Sequence, residues 1–231
     1  MAGRRFFSAG EIGNGQVVID GEEYHHVVRV MRYRAGDEVE IVNGRGRLLH
    51  GRISAIKTRS LRVDVRAVED FPMPMPRVVI APSLTRGNAM DWMVEKLAEM
   101  GVDEIRPLSC QRTDVVYSGT QLRRWEKIAA QTLKINRKYW LSRIFPPASP
   151  AEIVAGAKET PGKILLDIAA AGSFHRPRAF PVLAVIGPPG DFSEGEKKLF
   201  RENGFLPARI NDAVLRTETA ALAVAAILKN D

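Results

Sequence analysis

Two short stretches carry residue types that can hold and orient a small ligand. The first is Gly187-Pro188-Pro189-Gly190-Asp191-Phe192, which follows the apolar run Val182 to Ile186 and leads into Ser193 and Glu196 at capping-box spacing. A strand-to-helix loop of this kind lies at the carboxyl edge of a parallel sheet, where open α/β folds bind ligands, and its glycines let a ligand approach the backbone. The bland alternative is a rigid turn without a ligand. The second stretch is Ala213-Val214-Leu215-Arg216-Thr217-Glu218-Thr219-Ala220-Ala221-Leu222, which places charged and hydroxyl groups where the chain enters an alanine-rich helix. There the bland alternative is that Thr217 caps the helix and Glu218 favours its positive end. Neither stretch is a Gly-x-Gly-x-x-Gly turn after the first strand, nor a Gly-Lys-Ser/Thr phosphate loop, so two common nucleotide-binding devices are excluded.

A third feature is cationic. Residues 106 to 145 hold nine basic side chains against Asp114 and Glu126, which accounts for the whole net charge of +7. Within the helical segment Thr120 to Arg137, the residues Arg123 and Lys127 fall on one arc of about 60° together with Lys134 and the following Lys138. Leu122, Trp125 and Leu133 turn to the other side, which makes an amphipathic helix with a basic stripe. Such a stripe suits a polyanion, and a solvated charged face is its bland alternative.

The positioning elements divide the chain in two. Residues 1–71 read as a small β-rich unit: Val17 to Ile19, Glu38 to Ile41, Leu48-Leu49 and Leu61 to Arg66 are strand-like, Asn43-Gly44 signals a turn, and Glu22 to Arg32 suits one short helix. The alternating prolines of residues 72–76 form a stiff linker. Residues 77–231 alternate strands (Val78 to Ala81, Ile105 to Leu108, Ile164 to Leu166, Val182 to Ile186) with helices after Asn88, Thr120, Ser193 and Thr217, which implies a parallel sheet covered on both faces.

At 231 residues and 45% hydrophobic content the chain is too long and too apolar for a disordered tail. Its single cysteine, Cys110, excludes a disulfide framework and a thiolate cluster, and a lone buried thiol after a strand is the expected reading. Adjacent His25 and His26 diverge on a helix and make a poor metal pair, so no metal site is expected. The start of the chain lacks the apolar run of a signal peptide, and no later stretch is long enough to span a membrane, which points to the cytoplasm.

Several motifs follow in order: Arg5-Phe6-Phe7, then His25-His26-Val27-Val28-Arg29-Val30-Met31-Arg32 with Gly36-Asp37, then Glu95-Lys96-Leu97-Ala98-Glu99-Met100-Gly101-Val102. Ile105 to Leu108 with Arg112, Gly187-Pro188 with Gly190, and Leu215 to Leu222 complete the series. Together they resemble the RsmE family of bacterial enzymes that methylate N3 of a uridine in small-subunit ribosomal RNA. The resemblance implies an N-terminal PUA-like β-barrel and a C-terminal SPOUT-type α/β domain, trefoil-knotted around S-adenosylmethionine (SAM), in a homodimer whose sites are completed near the partner subunit. It further implies that Leu166, Gly187, Pro188, Gly190, Ile210, Leu215 and Thr217 surround the cofactor, and that a bulky residue at Gly190 would block it. Arg112, Arg216 and Glu218 would serve catalysis, and Arg5, His26, Arg29, Arg32, Arg123, Lys127, Lys134 and Lys138 would bind ribosomal RNA.

Three segments depart from the family pattern. The usual Gly-Pro-Glu-Gly-Gly loop is here Gly187-Pro188-Pro189-Gly190-Asp191, Ile210-Asn211-Asp212-Ala213 stands where Leu-Gly-x-Arg is common, and Lys134-Ile135-Asn136-Arg137-Lys138 replaces Glu-Gln-Ser-x-Arg. These changes motivate two alternatives: a non-catalytic RNA-binding homologue, and a methyltransferase with a different RNA target.

Overall fold

A computed structural model describes residues 5–10 and 15–230. The residues divide into two units, one of 1–73 with 130–141 and the other of 74–129 with 142–231. One division falls at 73/74, within the proline segment, and residues 130–141 group with the first unit.

In the first unit β1 (Arg5–Phe7), β2 (Gln16–Asp20), β3 (Glu38–Val42), β4 (Arg47–Ile56) and β5 (Ser60–Asp70) form one sheet in the order β1-β3-β4-β5-β2. Only β1 and β3 pair in parallel. The expected barrel is therefore a half-barrel with β1 and β2 at its edges, and the short strand expected around Leu48 is the ten-residue β4. Alternation sorts the faces: Val17, Ile19, Val39, Ile41, Leu49, Ile53, Leu61 and Val63 are buried in one core with Tyr24 and Val27. The single helix expected over Glu22 to Arg32 is instead α1 (Gly21–His25) running into a wider π-helical turn, His26–Val30, in which Met31 N–H donates to the His26 carbonyl across five residues.

Residues 130–141 join this unit through specific contacts. Tyr139 stacks on Phe71 with ring centroids 3.5 Å apart, Trp140 Nε1–H donates to the Phe71 and Pro72 carbonyls, and Gly46 N–H donates to the Tyr139 carbonyl. Gly46 lies at φ +85°, and a Cβ there would stand 2.5 Å from the Phe71 carbonyl oxygen and 2.6 Å from the Trp140 ring, so only glycine fits.

The second unit carries β6 (Val78–Pro82), α2 (Ala89–Met100), β7 (Glu104–Ile105), α3 (Thr120–Ile135), β8 (Arg143–Ile144), α4 (Pro150–Gly156), β9 (Gly162–Leu166), β10 (Val182–Ile186), α5 (Glu194–Glu202), β11 (Leu206–Ala208) and α6 (Thr217–Lys229). The division between the units falls within α3. The six strands are parallel in the order β11-β9-β10-β6-β7-β8. All five residues of β10 are buried, as expected of a strand covered on both faces. One face packs Phe192, Phe200 and Phe205 against Leu165, Leu183 and Val185. On the other side α2 packs against α6, whose Ala220, Ala221 and Ala225 permit close helix approach.

Two helix starts differ from expectation. Asn88 precedes α2 but makes no capping hydrogen bond, because its backbone is already helical at φ −79°, ψ −5°. Thr217 is the first residue inside α6 and Arg216 takes the cap position, so the hydroxyl of Thr217 is available for another bond. Ser193 does form the expected reciprocal box with Glu196. The short elements β8, α4 and β11 were not expected from sequence pattern. No helix among the described residues is long and apolar enough to cross a membrane.

Candidate functional site

At the carboxyl ends of β9, β10 and β11 the second unit opens into a cleft of about 580 Å³. Leu166 and Ile168 form one rim, Ile186 to Pro189 and Asp191 the second, and Arg209 to Asn211 the third, closed below by Ala213 to Leu215 and Thr217. Six of the seven residues expected around a cofactor, namely Leu166, Gly187, Pro188, Ile210, Leu215 and Thr217, line it.

One bond joins the Gly187 loop to the start of α6. The buried Thr217 Oγ1–H donates to the Gly187 carbonyl at 2.9 Å, across thirty residues of chain. Gly187 also satisfies a packing condition: a Cβ there would lie 3.1 Å from the Phe192 ring and 3.2 Å from its amide nitrogen. That is tighter than side chains tolerate without a shift of the neighbouring loop.

Gly190, the seventh residue, does not line the cleft. Its carbonyl accepts from Arg112 Nη1 at 2.7 Å, and a Cβ there would meet only the Arg112 side chain at 3.6 Å, an ordinary contact. Within the protein the tight packing is therefore at Gly187 and not at Gly190. Arg112 itself is outside the lining, as are the exposed Arg216 and the half-buried Glu218 at the start of α6.

Behind the cleft lies a buried ion cluster absent from the sequence reading. Lys197 of α5 is 5% exposed; its Nζ is 3.0 Å from Asp167 Oδ1 and 2.6 Å from Asp191 Oδ2. Asp167 Oδ2 accepts from Arg201 at 3.0 Å and its Oδ1 also accepts from Ala169 N–H. Burial alone would push the Asp167 carboxyl up, but the bonds from Lys197, Ala169 and Arg201 outweigh it and hold it below the usual carboxylate range. Burial would likewise push Lys197 down, and its bonds to Asp191 and Asp167 hold it above its ordinary value instead. No sequence spacing signals this cluster, since its members come from three separate segments.

The nearby loop Cys110 to Thr113 is pinned as well. Glu196 accepts from Ser193 with one carboxylate oxygen and from Gln111 N–H with the other, at 2.8 Å. Cys110 is buried, and burial pushes its thiol up to about 12, which makes it a packing residue and not a nucleophile.

The residues expected to meet RNA fall into distinct environments. Arg29, Arg32, Arg123 and Lys127 are exposed. Lys134 departs from the expected stripe: only 12% of its side chain is exposed, and it binds both carboxylate oxygens of Glu23, at 2.8 and 3.1 Å. Arg5 is similarly enclosed, 7% exposed, with its guanidinium over the Tyr139 ring and 3.5 Å from Glu40. His26 and Lys138 are half-buried.

Comparison with known proteins agrees with this arrangement. The RNA methyltransferase domain model matches residues 72–229, and the RNA methyltransferase PUA domain model matches residues 19–66. The chain is 25% identical to the ribosomal RNA small subunit methyltransferase E of Aquifex aeolicus, over 97% of this chain and 98% of that protein. It is 27% identical to the enzyme of the same name from Mycobacterium bovis, over 88% of this chain and 82% of that one. Among solved structures, a Legionella pneumophila methyltransferase with bound SAM superposes with a TM-score of 0.88 at 26% identity, covering 99% of this chain and 98% of the other. The architecture is accordingly a PUA-like half-barrel followed by a SPOUT-type parallel sheet, and with its family model matched over residues 72–229, the chain belongs to the RNA methyltransferase domain family.

Proposed function

We propose that this protein is a SAM-dependent methyltransferase acting on N3 of a uridine in 16S ribosomal RNA, working as a cytoplasmic homodimer with a trefoil-threaded cofactor site. The observation that carries the reading is the bond from Thr217 to the Gly187 carbonyl, because it brings the two ligand-type motifs onto one cleft. The cleft fits SAM in chemistry: aliphatic walls at Leu166, Ile168 and Ile186 suit a purine face, and the lack of a Cβ at Gly187 lets Phe192 pack tightly beneath the loop. Its relatives' names and the SAM-bound Legionella structure support the same choice.

When bound, SAM supplies an electrophilic methyl group on a sulfonium. The protein's part is proximity and electrostatics, which together supply most of the rate in such transfers. Gly187 and Pro188 hold one side of the cleft, Ile210 and Leu215 the other, and Thr217 keeps the two from separating. Arg112 anchors the Gly190 carbonyl and so fixes the far end of the loop, which makes it a positioning group in this reading. Arg216 and Glu218, at the mouth of α6, are the side chains left to approach the base. Exposed Arg29, Arg32, Arg123 and Lys127 supply phosphate contacts.

The test is calorimetric titration of the purified protein with SAM, followed by mapping of methylated nucleotides in 16S RNA from cells lacking it. Binding, and loss of one N3-methyluridine, is the expected result. Absence of binding at millimolar SAM would make a non-catalytic RNA-binding role the better reading, and loss of a different modification would reassign the target.

A further inference from the structure

The cluster behind the cleft is built differently from a surface salt bridge. Lys197 is enclosed, and its two carboxylate partners follow neighbouring strands: Asp167 lies between Leu166 and Ile168 after β9, and Asp191 lies in the loop after β10. Asp191 is also one of three described non-glycine residues with positive φ, at +61°. A side chain in the left-handed region is under strain, and Asp is among the few that adopt it by bonding locally. Here Oδ1 accepts from Phe192 N–H at 2.7 Å and Oδ2 faces Lys197 at 2.6 Å, while Asp191 N–H donates to the Pro188 carbonyl at 2.8 Å. A glycine would take this backbone angle without strain, but it would leave Lys197 with one close carboxylate. Glu194 approaches Lys197 only to 4.0 Å and is largely exposed.

We propose that Asp191 and Lys197 form a positioning pair that ties the loop Gly187–Phe192 to the end of β9 and sets the width of the cofactor cleft, so that cofactor affinity depends on this ion pair. The proposal rests on the SAM reading of the cleft. It assigns a role to a residue that departs from the usual family loop: the chain lacks the glutamate at Pro189 and places a carboxylate two residues later. Pro189 stiffens the span between, and Lys197 holds the displaced carboxylate of a residue that itself lines the cleft.

Two substitutions separate positioning from simple turn chemistry. Asp191→Asn keeps the acceptor for Phe192 N–H and a tolerance for positive φ; Asp191→Gly removes the strain altogether. If Asp191 serves only the turn, both variants bind SAM as the wild type does. If the pair sets the cleft, each raises the SAM dissociation constant and its KM about tenfold with kcat changed less than about twofold. Lys198→Ala, at an exposed pair with Glu202, is the control and leaves affinity unchanged. Hydrogen exchange of the amides of residues 190 to 192 in the ligand-free protein supplies a readout independent of SAM. Faster opening in both Asp191 variants and not in Lys198→Ala is expected, and unchanged exchange in both would overturn the proposal. Failure of the wild type to bind SAM would sink the cofactor reading alone, because the exchange experiment still reports whether the pair holds the loop.

Discussion

The cleft loop and helix α3 both carry a dense set of polar groups, yet they are held by opposite means. Around the cleft, Thr217, Arg112, Asp191 and Lys197 each close on a defined partner, and backbone atoms are among the acceptors. On α3, Arg123 and Lys127 are exposed, while Lys134 is drawn into an ion pair with Glu23, 111 residues away in sequence. Charge density alone therefore does not distinguish a site that is preorganised from a surface that is merely cationic. Burial of the paired groups does, because it reduces the freedom a ligand must otherwise remove on binding.

The largest test of that contrast is Lys197→Met. It leaves Asp167 buried with one cationic partner fewer, and loss of one member of a buried pair costs about 3–5 kcal/mol, measured by urea unfolding. The same experiment on Arg123→Ala is expected within about 0.5 kcal/mol of the wild type, since that side chain is exposed. The Lys197 penalty also has a pH signature. Asp167 sits below its ordinary value, so its contribution is complete above the unfolded value of about 4 and fades as pH falls through the lower folded value. Lys197 sits above its ordinary value, so its contribution is complete below about 10.4 and fades as pH rises through the higher folded value. The difference between wild type and Lys197→Met is thus expected to be flat from about pH 5 to 9 and to shrink in acid.

Next in size is Thr217→Val, which keeps shape but removes the donor to Gly187. Losing a part-buried hydrogen bond costs about 1 kcal/mol, and the same variant is expected to weaken SAM binding because the loop and α6 lose their tie. Unchanged affinity with unchanged stability would detach α6 from the cleft's working parts.

The cationic surface is tested by salt. For single-stranded RNA each phosphate neutralised contributes about 0.7 to the slope of log affinity against log salt, so Arg123→Ala with Lys127→Ala is expected to flatten it by up to about 1.4. Lys134→Ala is expected to leave the slope alone, because that ammonium is engaged by Glu23. An equal flattening from Lys134 would show that the pair opens for RNA.

The smallest effect is expected at Gly190. Gly190→Ala adds a Cβ at ordinary contact distance from Arg112 and is expected to change SAM affinity less than about twofold, whereas Gly187→Ala is expected to weaken it clearly.

How much of this was legible in the sequence follows the same contrast. Buried strands such as Val182 to Ile186 and the Ser193–Glu196 box are local patterns, and they appear where expected. The convergence of Leu166, Gly187, Ile210 and Thr217 on one cleft was carried by motif resemblance. The enclosure of Lys134 and Arg5 was not legible for a physical reason: helical phase gives direction within one element, but Glu23 and Tyr139 lie outside the elements that carry them. Lys197 was invisible for the same reason, since a lysine in a Glu-Lys-Lys run reads as solvated surface until Asp167 and Asp191 are placed beside it. The π-helical turn at His26–Val30 has no signature in residue type, and its register could not be anticipated.

Cys110 offers a last consequence. It is the only thiol in the chain, enclosed beside the loop that Glu196 and Arg112 tether, and protonated far beyond neutral pH. A thiol-reactive dye therefore meets it only when the end of that sheet opens, so the labelling rate of the unmodified protein is a clock for local opening near the cleft. A ligand that closes the cleft would slow that clock without any reporter group having to be engineered into the chain.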